Sequence, residues 1–189
     1  MAEAIRDIGE SLAWGHGSRL LEVFLEPTCP HSARAFGKLM PLLDLVGEDR
    51  LTIRIHLQSQ PWHLFSPLVT RAILAVSLAK GGKDAAFRVM DEVFRHRGEF
   101  IAEDHCRGEN MEASLADILR RLEEHSGLEI RDVFENKAAT DLMKRHARFA
   151  RQNGIHASPT FMVDGLVNEK MSSGDDVETW AAQLGLGGS

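Results

Sequence analysis

An apolar run with the composition of a β-strand leads directly to a cysteine at the start of a helix, and this junction constrains the fold more than any other feature of the chain. The run covers residues 20–26, and Cys29-Pro30-His31-Ser32 follows it. Pro30 suits the first position of a helix, because its missing N–H would be unpaired there and its φ is already helical. The N-terminus of a helix stabilises an anion, so a cysteine there can have its pKa lowered from about 8.5 to between about 3.5 and 7.5. The sequence therefore predicts that Cys29 is a reactive thiol.

The two residues after Pro30 define what this thiol can do. His31, as a partly protonated imidazole, is expected to stabilise the thiolate further. Ser32 is expected to face Cys29 across the first helical turn, where a dithiol enzyme carries a second cysteine that resolves the mixed disulfide. Because a serine cannot make that attack, Cys29 would need an external thiol for release. Ser32 is predicted instead to hydrogen-bond the thiolate.

A second motif lies far downstream, at residues 154–165, where Ser158-Pro159 leads into another predicted strand. A peptide bond before proline is the only type with an appreciable cis population, about 5–6% in folded proteins, so a cis bond here would be a specific feature. The two motifs together define both ends of a possible site.

These motifs resemble those of the DsbA-like thioredoxin-fold proteins, whose site is Cys-Pro-His-Cys at the start of the first helix, followed downstream by a loop with a cis-proline. Cys29, Pro30 and His31 match that pattern, and Ser32 departs from it. The resemblance covers nearly the whole chain. It implies that Pro159 is cis and packs against Cys29, and that the backbone of Ser158 binds the extended chain of a partner.

The order of predicted elements agrees with this family. Strands at residues 20–26 and 51–57 flank the active-site helix, and a hairpin at residues 160–170 precedes a closing helix at residues 175–184. Four helical patterns lie between, the last running from about residue 130 to residue 153. We therefore predict an α/β thioredoxin fold with a helical insertion between the second strand and the cis-proline strand. The single domain, residues 1–189, would consist of a core (19–65 and 154–185) and an insertion (66–153).

Composition limits the classes of function. The chain has 189 residues, 43% of them hydrophobic, enough for one core. A net charge of −6 without a basic stripe argues against nucleic acid as a partner. The sequence has no signal-like segment and no apolar run long enough to span a membrane. Two cysteines are too few for a disulfide framework, so a reducing, cytoplasmic location is expected.

The sequence thus predicts a monothiol thiol-disulfide oxidoreductase in which Cys29 forms mixed disulfides with protein or glutathione. Glutathione is the expected co-substrate, and no bound cofactor is expected. Pro30, Ser158, Pro159 and Trp62 are predicted to contact the substrate. One alternative is a glutathione-dependent transferase or isomerase of the kappa-class type, although those enzymes have serine at the position of Cys29. Another is a non-catalytic binding module with an inert thiol.

The insertion also contains a second cysteine, a group of basic residues and several histidines. Cys106 lies in a polar loop of the insertion and is expected to be an incidental free thiol; it could resolve Cys29 only if loop motion brought the two Cα atoms within about 7 Å. Basic residues of the last insertion helix are expected to interact with the helix end, or to attract an anion such as glutathione if they border the site: Lys144, Arg145, Arg148 and Arg151. No metal site is expected, because the histidines are scattered without paired spacing.

Overall fold

Two parallel strands form the centre of the sheet in the computed structural model, which describes residues 12–187. Strand β2 (Arg19–Leu25) pairs in parallel with β3 (Leu51–Leu57), and helix α1 (Pro30–Val46) makes the crossover between them. A parallel pair needs such a crossover, usually helical. Residues 21–25 of β2 are buried, as expected of a central strand. This β-α-β unit places the start of α1 directly after the end of β2.

Three shorter strands extend the sheet on both sides. Strand β1 (Ala13–Gly15) pairs antiparallel with β3, and β4 (Thr160–Val163) pairs antiparallel with β2. Strand β5 (Leu166–Val167) completes a hairpin with β4, so the strand order is β1-β3-β2-β4-β5. The described helices after β3 are α2 (Ser66–Ser77), α3 (Gly82–Arg95), α4 (Leu115–Ser126), α5 (Arg131–Phe134), α6 (Lys137–Gln152) and α7 (Val177–Gln183). None of the helices within residues 12–187 combines the length and apolar character needed to span a membrane.

This architecture confirms the predicted thioredoxin fold with a helical insertion, but some elements differ from the prediction. The single helix predicted from about residue 130 to 153 is divided into α5 and α6. Asn136 is the N-cap of α6, because its side chain accepts a hydrogen bond from the Ala138 N–H (3.0 Å). Strand β5 ends at residue 167, not 170. Strand β1 was missed, since its three residues are too few to show a period.

The sheet separates two apolar clusters, because successive side chains of a strand point to opposite faces. Leu21, Val23 and Leu25 of β2 belong to the large cluster with α1 and most of the other helices. Phe24 lies in a smaller cluster on the opposite face, beneath α6. Glu22 shares that second face with Phe24, so a carboxylate lies within the interior.

Glu22 is compensated by two neighbours from β3. His56 Nε2 lies 3.0 Å and Arg54 Nη1 3.5 Å from Glu22 Oε1. Burial works to raise the pKa of Glu22, but the hydrogen bond from His56 and the positive charge of Arg54 outweigh it and hold that pKa below 4.5. Burial lowers the pKa of His56 below 6.5 against the opposing effect of Glu22. His56 Nδ1 meets no hydrogen-bond partner among residues 12–187, which fits a neutral ring donating from Nε2.

Both shifts predict that the free energy of unfolding decreases as the pH is lowered. Because the pKa of His56 is lowered in the fold, its contribution is full above 6.5 and is lost as the unfolded chain takes up the proton below that value. Glu22 adds a further loss as pH falls below 4.5. A proton bound only by the unfolded state gives a slope of at most about 1.4 kcal/mol per pH unit.

Urea denaturation between about pH 8 and about pH 5 measures this dependence. His56→Gln keeps a donor for Glu22 but cannot titrate, so its unfolding free energy should fall less steeply with acidity than that of the parent. His16→Gln, at an exposed histidine, should retain the parental slope. Identical slopes for His56→Gln and the parent would contradict the prediction.

Candidate active site

Cys29 caps the N-terminus of α1 and faces the loop that precedes β4. Its backbone is extended (φ −83°, ψ 130°), and its carbonyl accepts the Ala33 N–H at 3.0 Å. The Cys29 side chain is buried, with 7% of its surface exposed, and its Sγ donates to the Ser158 carbonyl at 3.7 Å. Because the first N–H groups of a helix lack helical acceptors, a negative charge on this sulfur would be stabilised there.

The loop on the other side of Cys29 has a defined conformation. The peptide bond between Ser158 and Pro159 is cis. Two glutamines that follow β3 hold the preceding backbone: Gln58 Nε2 donates to the Ala157 carbonyl at 2.7 Å, and Gln60 Nε2 donates to the His156 carbonyl at 3.1 Å. The structure thus brings together Cys29, Ser158 and Pro159, which the sequence placed in one site.

Ser32 is fully buried one turn into α1. Its hydroxyl oxygen accepts a hydrogen bond from the Glu26 N–H at 3.1 Å. The hydroxyl therefore links the end of β2 to the first turn of the helix. Its proton remains a donor for another acceptor, and its hydrogen bond to a Cys29 thiolate stays a prediction.

His31 lies on the exposed side of the same turn. Its Nδ1 is hydrogen-bonded to Arg34 Nη2, one turn further along α1. A guanidinium can only donate, so Nδ1 is the acceptor and the neutral ring carries its proton on Nε2. The predicted effect of His31 on the Cys29 thiolate stays a prediction.

A buried carboxylate lies beneath the Cys29 loop. Glu26 is fully buried, and its Oε1 accepts from the N–H and from the hydroxyl of Thr28, at 3.0 and 2.8 Å. Its Oε2 lies 2.5 Å from Nδ1 of His63, which also lies 2.9 Å from the Thr28 hydroxyl. A buried carboxylate is costly unless it is paired and hydrogen-bonded, and here both oxygens have partners.

The helical insertion contacts this loop at Thr28 and contacts His63 beneath it. Arg97, in a 3₁₀ turn (Arg97–Phe100) after α3, donates from Nε to the Thr28 carbonyl at 2.6 Å. The ring of His105 stacks on that of His63, with centroids 5.3 Å apart and planes inclined by 20°. The insertion therefore forms one side of the candidate site.

Cys106 follows His105 in a tight turn closed by two hydrogen bonds of 2.8 Å between the backbones of Glu103 and Arg107. Cys106 is exposed, Cys29 is buried, and both are free thiols. The structure therefore places the second thiol on the segment that contacts the site through His105, but the two cysteines are not bonded.

Trp62 is half exposed and lines a cleft of about 600 Å³ together with His156 and Arg151. A neighbouring cleft of about 440 Å³ is lined by Lys144, Arg148 and Arg151 of α6. Arg151 belongs to both clefts, so the basic side of α6 is continuous with the surface beside the cis-proline loop. Trp62 thus borders that loop, and its contact with a substrate stays a prediction.

Four residues of the site are absent from the sequence-based prediction: Glu26, Thr28, His63 and Arg97. A charged residue at the end of an apolar strand, three positions before Cys29, was a usable signal for Glu26. The sequence carries no local signal for His63 or Arg97. Their roles depend on contacts with Glu26 and Thr28, which lie 37 and 69 positions away along the chain.

The chain is similar to solved structures of one fold. A Pseudomonas syringae protein described as a "putative protein-disulfide isomerase" shares 52% sequence identity, with 93% of this chain and 98% of that chain covered and a TM-score of 0.91. DsbA2 of Wolbachia pipientis, a thiol-disulfide exchange protein, shares 13% identity over 97% of this chain and 93% of its own, with a TM-score of 0.67. BdbD of Bacillus subtilis shares 13% identity over 91% of each chain, with a TM-score of 0.66.

No protein-family model and no curated protein sequence matches the chain. The two bacterial proteins at 13% identity support the fold alone, whereas the Pseudomonas syringae protein is similar in both sequence and structure over nearly its full length. Together with Cys29 at the start of α1 and the cis bond before Pro159, this similarity gives the assignment. The chain belongs to the DsbA-like thioredoxin-fold family.

Proposed function

We propose that the chain is a monothiol thiol-disulfide oxidoreductase, in which Cys29 forms mixed disulfides with protein substrates or with glutathione. The observation that carries this proposal is the position of Cys29 Sγ, at the N-terminus of α1 and 3.7 Å from the Ser158 carbonyl. The Pseudomonas syringae relative, described as a "putative protein-disulfide isomerase", supports thiol-disulfide chemistry. Ser32, in place of a second thiol, favours the monothiol route.

The proposed reaction consists of two thiol-disulfide exchanges. The Cys29 thiolate attacks one sulfur of a substrate disulfide, a new disulfide forms between Cys29 and that sulfur, and the other sulfur leaves as a thiolate. The thiolate of glutathione then attacks the mixed disulfide and releases Cys29 as a thiolate again. Each step breaks one S–S bond and forms another, so electrons balance without a bound cofactor.

The surface beside the cis-proline loop supports glutathione as the second thiol. Glutathione carries two carboxylates and one ammonium group, so it is a net anion at neutral pH. Arg148 and Arg151 of α6 are exposed cations that line the cleft next to Trp62 and His156. Clustered cations raise the local concentration and association rate of an anionic substrate.

Cys106 is a second candidate for releasing the mixed disulfide. It follows His105, whose ring stacks on His63 beneath the Cys29 loop. Cys106 would resolve Cys29 if motion of the turn at residues 103–107 brought the two Cα atoms within about 7 Å. The cytoplasmic location inferred from two cysteines remains a prediction. The glutathione-dependent transferase or isomerase remains an alternative, and the first experiment below distinguishes the inert binding module.

The first prediction concerns the reactivity of Cys29. In the Cys106→Ala protein, incubation with oxidised glutathione should add one glutathione, and peptide mapping should locate it on Cys29. In the same Cys106→Ala background, Cys29→Ala should reduce exchange by at least about a hundredfold, because it removes the protein thiolate that attacks the substrate disulfide. An inert Cys29 thiol would favour the binding module. Exchange that persists in Cys29→Ala would contradict the assignment of Cys29 as the nucleophile.

The second prediction concerns Ser32. Ser32→Cys restores a dithiol, so oxidised glutathione should convert it to an intramolecular disulfide, seen by mass as the loss of two hydrogens without an adduct. Ser32→Ala should keep the stable adduct but lower the free energy of unfolding by about 1–3 kcal/mol, since the buried Glu26 N–H loses its acceptor. A glutathione adduct that persists equally in Ser32→Cys would contradict the monothiol explanation.

The third prediction concerns the basic cleft. Arg151→Ala should slow the reaction with oxidised glutathione by about three- to tenfold at low salt, and added salt should reduce the difference. The rate with the uncharged bis(2-hydroxyethyl) disulfide should not change. Arg120→Ala, at an exposed arginine of α4, is the matched control and should behave as the parent. Equal slowing with both disulfides would indicate a general effect of Arg151 on the site and not anion attraction.

A further inference from the structure

Two histidines and a glutamate from separate parts of the insertion meet where α3 and α4 pack together. His96 follows the last residue of α3, Glu99 lies in the 3₁₀ turn after it, and His125 is in the last turn of α4. Their spacing along the chain predicts no ligand cluster, and here the structure differs from the expectation. One ligand atom from each residue lies within 4.8 Å of the other two.

The donor atoms converge on one carboxylate. His125 Nε2 lies 3.1 Å from Glu99 Oε2, and His96 Nδ1 lies 3.9 Å from Glu99 Oε1. The two imidazole rings stack, with centroids 3.8 Å apart and planes inclined by 12°. One nitrogen of each ring therefore lies close to the Glu99 carboxylate, and rotation of the side chains could direct all three groups to one cation.

The backbone around this cluster is held in place by other contacts. Arg121 Nη1 donates to the Glu99 carbonyl at 2.6 Å, and the neighbouring Phe100 is almost fully buried. The His96 N–H bonds the Glu92 carbonyl at 2.9 Å. The side chains themselves are partly exposed, 37% for His96, 47% for Glu99 and 22% for His125. An ion from solvent can therefore reach ligands whose backbones are already positioned.

We propose that His96, Glu99 and His125 form a binding site for a divalent transition-metal ion of the Zn²⁺ type. Two imidazoles and one carboxylate are a donor set suited to zinc and its neighbours, whereas Ca²⁺ and Mg²⁺ prefer oxygen ligands alone. With bonds of about 2.0–2.2 Å, ligands of a tetrahedral zinc lie about 3.4 Å apart. Small rotations of the partly exposed side chains bring the cluster to that size, and water completes the coordination.

Glu92 and Arg97 connect the metal site to its surroundings. Glu92 Oε2 lies 3.5 Å from His96 Nε2, so it can hold the nitrogen that does not face the metal. Arg97 lies between His96 and Glu99 in sequence and donates to the Thr28 carbonyl next to Cys29. A metal that fixes His96 and Glu99 therefore also restrains the turn that contacts the active-site loop.

Metal binding should be measured on tag-free protein that carries Cys29→Ala and Cys106→Ala, because thiolates bind zinc themselves. Titration with Co²⁺ alone, followed by visible absorption, should give one saturable equivalent with the intense bands of a tetrahedral site. Zn²⁺ should displace the Co²⁺, and Ca²⁺ should not. His96→Ala and His125→Ala should each weaken Zn²⁺ binding by at least about tenfold, whereas His16→Ala, at an exposed histidine elsewhere, should bind as the parent.

Circular dichroism shows whether each variant folds, and thermal unfolding measures whether Zn²⁺ stabilises the folded state. Zn²⁺ should raise the thermal midpoint of the parent and of His16→Ala, but not of His125→Ala, because a ligand that binds only the folded state stabilises it. If His125→Ala does not fold, His125→Gln replaces it, with the same expected loss of binding. Unchanged Zn²⁺ affinity in the His96 and His125 variants, or no saturable Co²⁺ binding by the parent, would overturn the proposal.

Discussion

The hydrogen bonds of the buried Glu26 carboxylate join the segments that make the candidate site. Glu26 lies at the end of β2, accepts from Thr28 in the loop before Cys29, and faces His63 before α2. Its N–H is bonded by Ser32 in the first turn of α1. Loss of one partner would leave a buried charge or a buried N–H unsatisfied, and such groups are among the costliest in a protein interior. The position of Cys29 at the start of α1 therefore depends on a network that is complete only in the folded chain.

Ser32 has a structural consequence as well as a chemical one. A second cysteine at this position would supply the resolving thiol, but sulfur is only a weak hydrogen-bond acceptor. The serine hydroxyl accepts the Glu26 N–H at 3.1 Å within a fully buried environment. The residue that removes the dithiol route thus also strengthens the contact between β2 and α1. In the proposed reaction, release of a mixed disulfide from Cys29 therefore depends on a thiol from elsewhere.

Local sequence patterns predicted the parts of the fold whose signals are themselves local. Leu51–Leu57 was predicted with its observed bounds because apolar residues alternate along it, and α1 because Pro30 marks its first turn. The end of α4 at Gly127, whose φ is 68°, follows from the left-handed conformation that glycine adopts there. The break before α6 depends on a single hydrogen bond of the Asn136 side chain, and an asparagine within a helical pattern does not reveal it. Short strands such as β1 are defined by pairing partners and not by their own residues.

The same division between local and distant signals applies to the site. It explains why the sequence did not predict the contacts that the insertion makes with the core around Cys29. Cys29 and Pro159 were found because each lies in a recognisable motif. Arg97 and His105 act only through contacts with Thr28 and His63, across the gap between the insertion and the core. One contact with the active-site loop and one with His63 beneath it mean that the insertion does more than cover the sheet. Any restraint on the turn after α3 is transmitted through the Arg97 hydrogen bond to the carbonyl of the residue that precedes Cys29. The geometry of the thiol is therefore determined by the core and the insertion together.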